Sequence, residues 1–460
     1  MDIMEPAYGT AYLLTVAAVA VAVLLVLIMK VRLHPFLALV LVSMVTAVAA
    51  GIPLADVPDT LLAGFGGTLG SVALLVALGV MLGRLLEKTG GAQVLADTLI
   101  SRFGEKRAPF ALGVAALIFG FPIFFDAGLV IFLPIIFSVA RQFGGSVLLY
   151  ALPTAGAFAA MHAIVPPHPG PVAAADLMGG DIGLTLIVGV PVAVVAWFVG
   201  AYLVGTRLGR RFVTSPAAMF GDSADDDERI AADPPKFVAV LGLLLFPLIL
   251  ICLNTGISTL QTAGTVPDDA AWADALVLIG QTPVALLLTV LLALVVLAPG
   301  RFSVQRATDL MDDALGPVCA IILITGAGGM FGGVLRASGI GTSLTESLSG
   351  LGFSLILQAF LIATALRVAQ GSATVALTTT AGLVSAQVAE LGLDDFHIAL
   401  LVFAIAARST VLSHVNDSGF WLVSRFFGMD VKTTLKTWTV LETTLGLAVF
   451  LLAALLWVVF

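Results

Sequence analysis

Val165-Pro-Pro-His-Pro-Gly-Pro171 decides how this chain is read. The residues before it, YALPTAGAFAAMHAI (150–164), are apolar enough to lie inside a membrane, yet four of the next seven are prolines. Proline has no N–H and its ring clashes with the preceding turn, so a helix has to stop there. In hydrocarbon every backbone polar group needs a partner. A stop at that depth is therefore tolerated only where it is buried in protein or lines a wet cavity. His168 adds an ionisable ring to the break.

The surrounding composition supplies the membrane. Of 460 residues 60% are hydrophobic and 11% charged, with mean hydropathy +1.11, whereas soluble domains carry about 25% charged residues. Cys252 and Cys319 both lie in apolar runs, so neither a disulfide framework nor a metal-ligand spacing is present. The net charge of −8 comes partly from acidic segments such as DSADDDER (222–229), and no basic patch points to nucleic acid. The first apolar run, 11–29, follows Asp2 and Glu5 rather than a basic leader, and reads as a retained span.

A span needs about 20 apolar residues. Such runs occupy about 11–29, 33–51, 62–86, 146–165, 183–208, 236–253, 281–298, 315–335, 395–415 and 436–460. Two longer stretches, 108–142 and 352–391, are interrupted at GFPIFFDAG (120–128) and RVAQGSAT (367–374), and each reads as a re-entrant hairpin. Placing Lys30 and Arg32 in the cytoplasm puts nearly every other Lys and Arg inside as well, as the positive-inside rule requires. The connection 254–280, with no Lys or Arg, is then an outer loop. This gives an all-α polytopic membrane protein with ten spans, two hairpins and both termini outside.

The two halves match at an offset of 249 residues. GVMLGRLLEKTGG (79–91) falls on GGMFGGVLRASGI (328–340), FPIFFD (121–126) on QGSATV (370–375), and VPPHPGP on HVNDSGF (414–420). With five spans and a hairpin each, the second half is inverted. The chain divides into a first repeat (1–211), a cytoplasmic linker (212–235) and an inverted second repeat (236–460). Inverted repeats with broken helices at the midplane are the pattern of secondary transporters, whose half-helix N-termini favour an anion.

The polar groups at depth are the candidate site. Asp126, at the first hairpin tip beside Phe124 and Phe125, either carries a coupling proton or caps and pairs structurally; an intramembrane acid is functional by default. His168 either carries a proton and meets substrate hydroxyls or satisfies backbone carbonyls. Asn416, Asp417 and Ser418 in the second break (414–419) suit hydroxyls or a cation, and are also favoured helix caps. Gln370, Ser372 and Thr374 at the second tip suit ligand hydrogen bonds or close packing. Arg367 and Arg408 either bind a carboxylate bidentately or neutralise Asp126 or Asp417. A hydrolase triad of His414, Asp417 and Ser418 is rejected, because no strand–turn–helix elbow surrounds the serine.

The motifs GFGGTLG, LLEKTGGAQ, GFPIFFDAG, VPPHPGP, RVAQGSATVA and LSHVNDSGFW resemble the gluconate:proton symporter family of bacterial permeases over nearly the whole chain. The resemblance implies proton-coupled uptake of gluconate or a relative across the bacterial cytoplasmic membrane, with no other cofactor. It also implies membership of a larger ion-transporter superfamily, homodimers, and an elevator-like motion. Members for other sugar acids and for D-serine leave the substrate open, and sodium coupling is the rival for the ion. Asp126 stands where many members carry glutamate, which keeps a titratable group there. On this reading Phe124, Phe125, His168, Gln370, Ser372, Thr374, Arg408, Asn416 and Ser418 meet substrate, while Asp126, His168 and Asp417 handle the proton.

Overall fold

The computed structural model describes residues 4–121, 124–166, 168–214, 234–262, 264–267, 269–299, 301–339, 353–370 and 373–460. Every regular element among them is a helix. The first half contains α1 (Thr10–Met29), α2 (Pro35–Ala49), α3 (Val57–Lys88), α4 (Gly91–Phe103), α5 (Ala108–Gly120), α6 (Phe125–Phe143), α7 (Val147–Ile164), α8 (Pro169–Leu177), α9 (Ile182–Ala196) and α10 (Leu203–Arg211). A π-helical turn, Trp197–Tyr202, joins α9 to α10. The second half contains α11 (Phe237–Thr262), α12 (Ala271–Ile279), α13 (Thr282–Leu297), α14 (Val304–Ala337), α15 (Leu355–Gln370), α16 (Ala373–Leu391), α17 (Asp395–Thr410), α18 (Ser418–Phe426) and α19 (Val431–Val459).

The helix boundaries keep the 249-residue register. Shifted by that amount, α8 falls on α18 end for end, and α2, α3, α5, α6 and α7 fall on α13, α14, α15, α16 and α17 to within three residues. The continuous stretch from α9 to α10 falls on α19. Even the caps recur: Asp181 takes the N–H of Leu184 before α9, and Asp430 takes that of Thr433 before α19. Each satisfies a donor that the first helical turn leaves without an intrahelical acceptor.

By length and composition, seven of the described helices can cross a membrane alone, or eight structures can if the bent pair α12–α13 counts as one span. This set differs from the expected ten spans and two hairpins: α6, read as half of a hairpin, is among the seven, while α2, α14 and α17, read as spans, are not. The supposed outer loop 254–280 is largely helical, since α11 runs on to Thr262 and α12 begins at Ala271. The α12–α13 pair bends by 67° at Gly280–Gln281. Gly280 sits against the α11 backbone at Leu250 and Asn254, where a side chain has no room, and Pro283 opens the next helix. Elsewhere α3 and α14 extend beyond their apolar runs into polar ends.

Packing sets the layers. α3 lies along α14, close enough that Gly64 meets the backbone of Gly329 and Met330. α7 is buried among α5, α6, α10 and the π turn, as α17 is among α15, α16, α9 and α19. The faces turned away from these contacts are apolar and exposed, including Val19, Val23 and Val26 of α1 and Leu451, Leu455 and Val458 of α19. That is the surface a bilayer demands of a helical protein.

Candidate functional site

Both expected breaks are present. α7 ends at Ile164, the backbone is extended at Val165, and α8 starts after His168. The prolines do two jobs: they forbid continuation of α7, and they open α8, whose first turn has orphan N–H positions that proline leaves empty at no cost. His168 is 2% exposed. Its Nε2 lies 3.0 Å from the carbonyl of Gly120, at the end of α5, and its Nδ1 lies 3.2 Å from Nδ1 of His162. A carbonyl only accepts, so His168 donates through Nε2–H, and between the two Nδ1 atoms one ring donates to the other. Phe124 packs against both rings, at 5.5 and 5.9 Å between centroids. Of the two readings of His168, the contacts made are those of a group that satisfies a backbone carbonyl, one belonging to the first hairpin arm.

The second break is charged. After α17, Leu412 adopts a left-handed backbone (φ 54°), costly for a branched side chain. Its N–H donates to the Thr443 hydroxyl at 3.2 Å. Asp417 caps α18: Oδ1 accepts from the Gly419 N–H at 3.1 Å, and Oδ2 accepts from Arg367 at 2.5 Å and from the Ser413 hydroxyl. Ser413 is itself held from α19, where Trp438 donates to its hydroxyl at 3.1 Å and Thr439 to its carbonyl at 2.5 Å. His414 Nε2 and Asn416 Nδ2 both donate to the Val368 carbonyl, at 3.1 and 2.9 Å. The opposite atoms of those two side chains, His414 Nδ1 and Asn416 Oδ1, are buried with no hydrogen-bond partner among the described residues. Each is an acceptor in the tautomer and orientation that the Val368 carbonyl imposes.

The halves meet here. The Phe125 ring lies 5.5 Å from that of Trp438, and a Cβ placed on Gly419 would touch Phe125 at 3.3 Å. The first turn of α6 thus stands against the first turn of α18, and Asp126, half-buried, lies within charge–charge range of Asp417. On the other side α16 packs against α8. Thus α6 contacts α18, and α16 contacts α8.

Gln370 ends α15 and Thr374 lies in the first turn of α16, while Ser372 lies outside the described residues. Ser418 is the first residue of α18. Arg408 is turned away from the break: its guanidinium carbon sits 3.6 Å from the centroid of the Phe360 ring, which stacks on Phe450 of α19. Delocalised charge over an aromatic face is a favourable resting place for arginine. Arg367, which sequence alone could pair with either Asp126 or Asp417, chooses Asp417.

Sequence reasoning passed over Glu442. It is 4% exposed on α19, one turn from Trp438 and Thr439, within charge–charge range of Asp417 and Arg367, and its Oε1 has no partner among the described residues. The signal was available, since one acid stands amid the apolar run 440–460. A separate cavity of about 350 Å³ among α4, α5, α6 and α11 is walled by Leu95, Phe119, Phe132, Ile135 and Phe237. Its apolar lining does not suit a hydroxylated anion.

Residues 12–459 match the model of the GntP family permeases. The chain is 41% identical to the inner membrane permease YgbN of Escherichia coli, covering 98% of this chain and 100% of that one. It is 39% identical to a gluconate permease of Pseudomonas aeruginosa (97% and 98% covered) and 34% identical to the Gnt-II system L-idonate transporter of E. coli (94% and 96% covered). Among solved structures, the Alcanivorax borkumensis YdaH transporter aligns over 93% of this chain and 98% of that one. Its identity is 16% and its TM-score 0.39, too loose a likeness to carry an argument. Long apolar helices, membrane-facing hydrophobic surfaces and full-length similarity to permeases agree: the chain belongs to the GntP permease family and is a multi-pass protein of the cytoplasmic membrane.

Proposed function

We propose that this permease is a proton-coupled symporter that imports gluconate or a closely related small polyhydroxylated acid. The observation that carries the substrate class is the pair of unpartnered buried acceptors, His414 Nδ1 and Asn416 Oδ1, on the two side chains that share the Val368 carbonyl. A buried acceptor left unmet costs about 1–3 kcal/mol. Neighbouring hydroxyls of one ligand donating to both would remove that cost. Relatives named for gluconate and for L-idonate, both polyhydroxylated monocarboxylates, support the same class. The N-termini of α6 and α18, with Arg367 close by on the hairpin, offer the positive potential that a carboxylate needs.

Asp126 is the first choice for the proton carrier, with Asp417 and His168 behind it. The recurrence of helix boundaries at 249 residues supports two inverted repeats, divided as 1–211 and 236–460. Motion of an elevator type within a homodimer completes the proposal. One proton per monoanion is electroneutral. Uptake then follows the pH gradient, about 1.4 kcal/mol per unit, and ignores voltage, which otherwise acts at about 2.3 kcal/mol per charge per 100 mV.

The test is uptake of labelled gluconate into proteoliposomes under an imposed pH gradient, in competition with other sugar acids and D-serine, with and without sodium at fixed pH. Asp126→Asn is expected to abolish accumulation while sparing counterflow exchange. Full pH-driven accumulation by that variant removes Asp126 from the mechanism. A requirement for sodium at constant pH replaces the proton with the second reading, a sodium-coupled carboxylate carrier.

A further inference from the structure

The proposed proton coupling leaves one buried acid unused. Glu442 sits on the face of α19 that holds the second break in place: Trp438 and Thr439, four and three residues earlier, grip Ser413, whose hydroxyl donates to Asp417. Residues at that spacing share one face of a helix. Two carboxyls, Asp417 and Glu442, thus lie near one guanidinium, that of Arg367. Arg367 is committed to Asp417, which also takes the Gly419 N–H and the Ser413 hydroxyl. Among the described residues Glu442 has no cation of its own, and Oε1 has no donor.

Other charges on the elements packed against α19 lie elsewhere, although Nε of Arg408 and of Arg425 is buried without a hydrogen-bond partner among the described residues. Arg408 of α17 lies on Phe360, Arg425 of α18 on Trp421, and His397 of α17 beside Trp457, fifteen residues along from Glu442. His162 of α7 bonds His168. Of the arginines of α10, Arg207 reaches its own backbone at Leu203, Arg211 lies on Phe212, and Arg210 stands beside it at the polar helix end. α1 and α9 carry no charged residue. Burying an ion without a partner costs several kcal/mol, which argues for a protonated Glu442 while Arg367 holds Asp417.

We infer that Glu442 is the proton reservoir of the second break: when a substrate carboxylate takes Arg367, the O–H bond of Glu442 breaks and one forms on the released Asp417. One proton from water, entering by way of Asp126 beside Asp417, then reloads Glu442, so the acids share a single coupling proton. The balance is simple. Before binding, the site holds one guanidinium, one carboxylate and one carboxylic acid. Afterwards it holds the guanidinium, the substrate carboxylate and two carboxylic acids. One anion has entered with one proton, and the charge of the site is unchanged. The Ser413 hydroxyl, already bonded to Asp417 and positioned by Trp438, stands on the α19 side of that carboxylate.

This inference rests on the proton-symport reading, and the two can fail separately. The experiment adds gluconate to the full-length protein in detergent under weak buffering and follows protons taken up with a pH-sensitive dye. The same variants are assayed for uptake in proteoliposomes. Wild type is expected to take up about one proton per gluconate bound. Glu442→Gln is expected to lower that uptake and pH-driven accumulation by about tenfold or more, while counterflow exchange persists. Glu442→Asp, which keeps the acid and shortens its reach, is expected to retain coupling with a displaced pH profile of uptake, and it serves if the glutamine variant does not fold. Wild-type proton uptake and accumulation by Glu442→Gln overturn the inference, as does an unmoved profile in Glu442→Asp. If in that case Asp126→Asn still abolishes accumulation, the symport reading stands without Glu442. If wild type itself takes up no proton, the symport reading falls.

Discussion

The two breaks solve one mechanical problem with different chemistry. In each, side chains of the break hold a carbonyl near the end of an earlier helix: His168 takes Gly120 of α5, and His414 with Asn416 takes Val368 of α15. Around the first, the partners are rings, His162 and Phe124, with no carboxylate or guanidinium among these contacts. Around the second stand Arg367, Asp417 and Glu442, with Asp126 reaching across from the first hairpin. A chain whose helix boundaries repeat has not repeated its electrostatics. The backbone plan is common property of both halves, while ionic chemistry is concentrated in one.

The comparison breaks most visibly at the ion pair. Arg367→Ala leaves the largely buried Asp417 without its cation, which costs up to about 3–5 kcal/mol, and less to the extent that a proton replaces the cation. Melting in detergent should fall steeply and transport should stop. Adding Asp417→Asn to the same chain should restore much of the lost stability, because partners in contact couple in a double-mutant cycle. Equal melting of Arg367→Ala and wild type would erase the contrast between the halves.

At the first break the effect should be smaller. His168→Ala orphans the Gly120 carbonyl at a cost of about 1–3 kcal/mol. His168→Gln keeps a donor and should recover part of it, with the pH profile of uptake unchanged. A displaced profile in the glutamine variant would bring the first break into proton chemistry.

The smallest effect tests what the halves share, the aspartate caps. Thr433, first through its side chain and then through its N–H, holds the exposed Asp430 carboxyl below the ordinary carboxylate range. A lowered value in the folded state means that the contribution is present at neutral pH and fades as pH falls below about 4. Asp430→Ala should lower stability by about 1 kcal/mol at pH 7, with the gap to wild type closing in acid. Melting curves at both pH values measure it.

The breaks were legible because a proline cluster or an Asn-Asp-Ser run inside apolar sequence can hardly continue a helix. The register between halves was legible because glycines and turn residues recur at one offset. Pairing was not: Arg367 and Arg408 look alike in sequence, and only packing sends one to Asp417 and the other onto Phe360. The bend at Gly280 was hidden because its cause is the backbone of α11, thirty residues earlier. Glu442 was overlooked among the leucines and threonines of the last span, although the rule that flagged Asp126 applied to it equally. The tip residues 122–123 and 371–372 lie outside the described residues, so the reading of Ser372 remains a proposal.

The Val368 carbonyl, gripped by two side chains, has a mechanical corollary. Incoming arm and connecting strap are fastened as a single lever, and the Gly120 latch does the same for the opposite lever. Neither arm swings without its strap. If transport proceeds by the proposed sliding motion, the α6–α18 and α8–α16 seams have to give, and a covalent staple across either seam should then stop transport while leaving each lever whole.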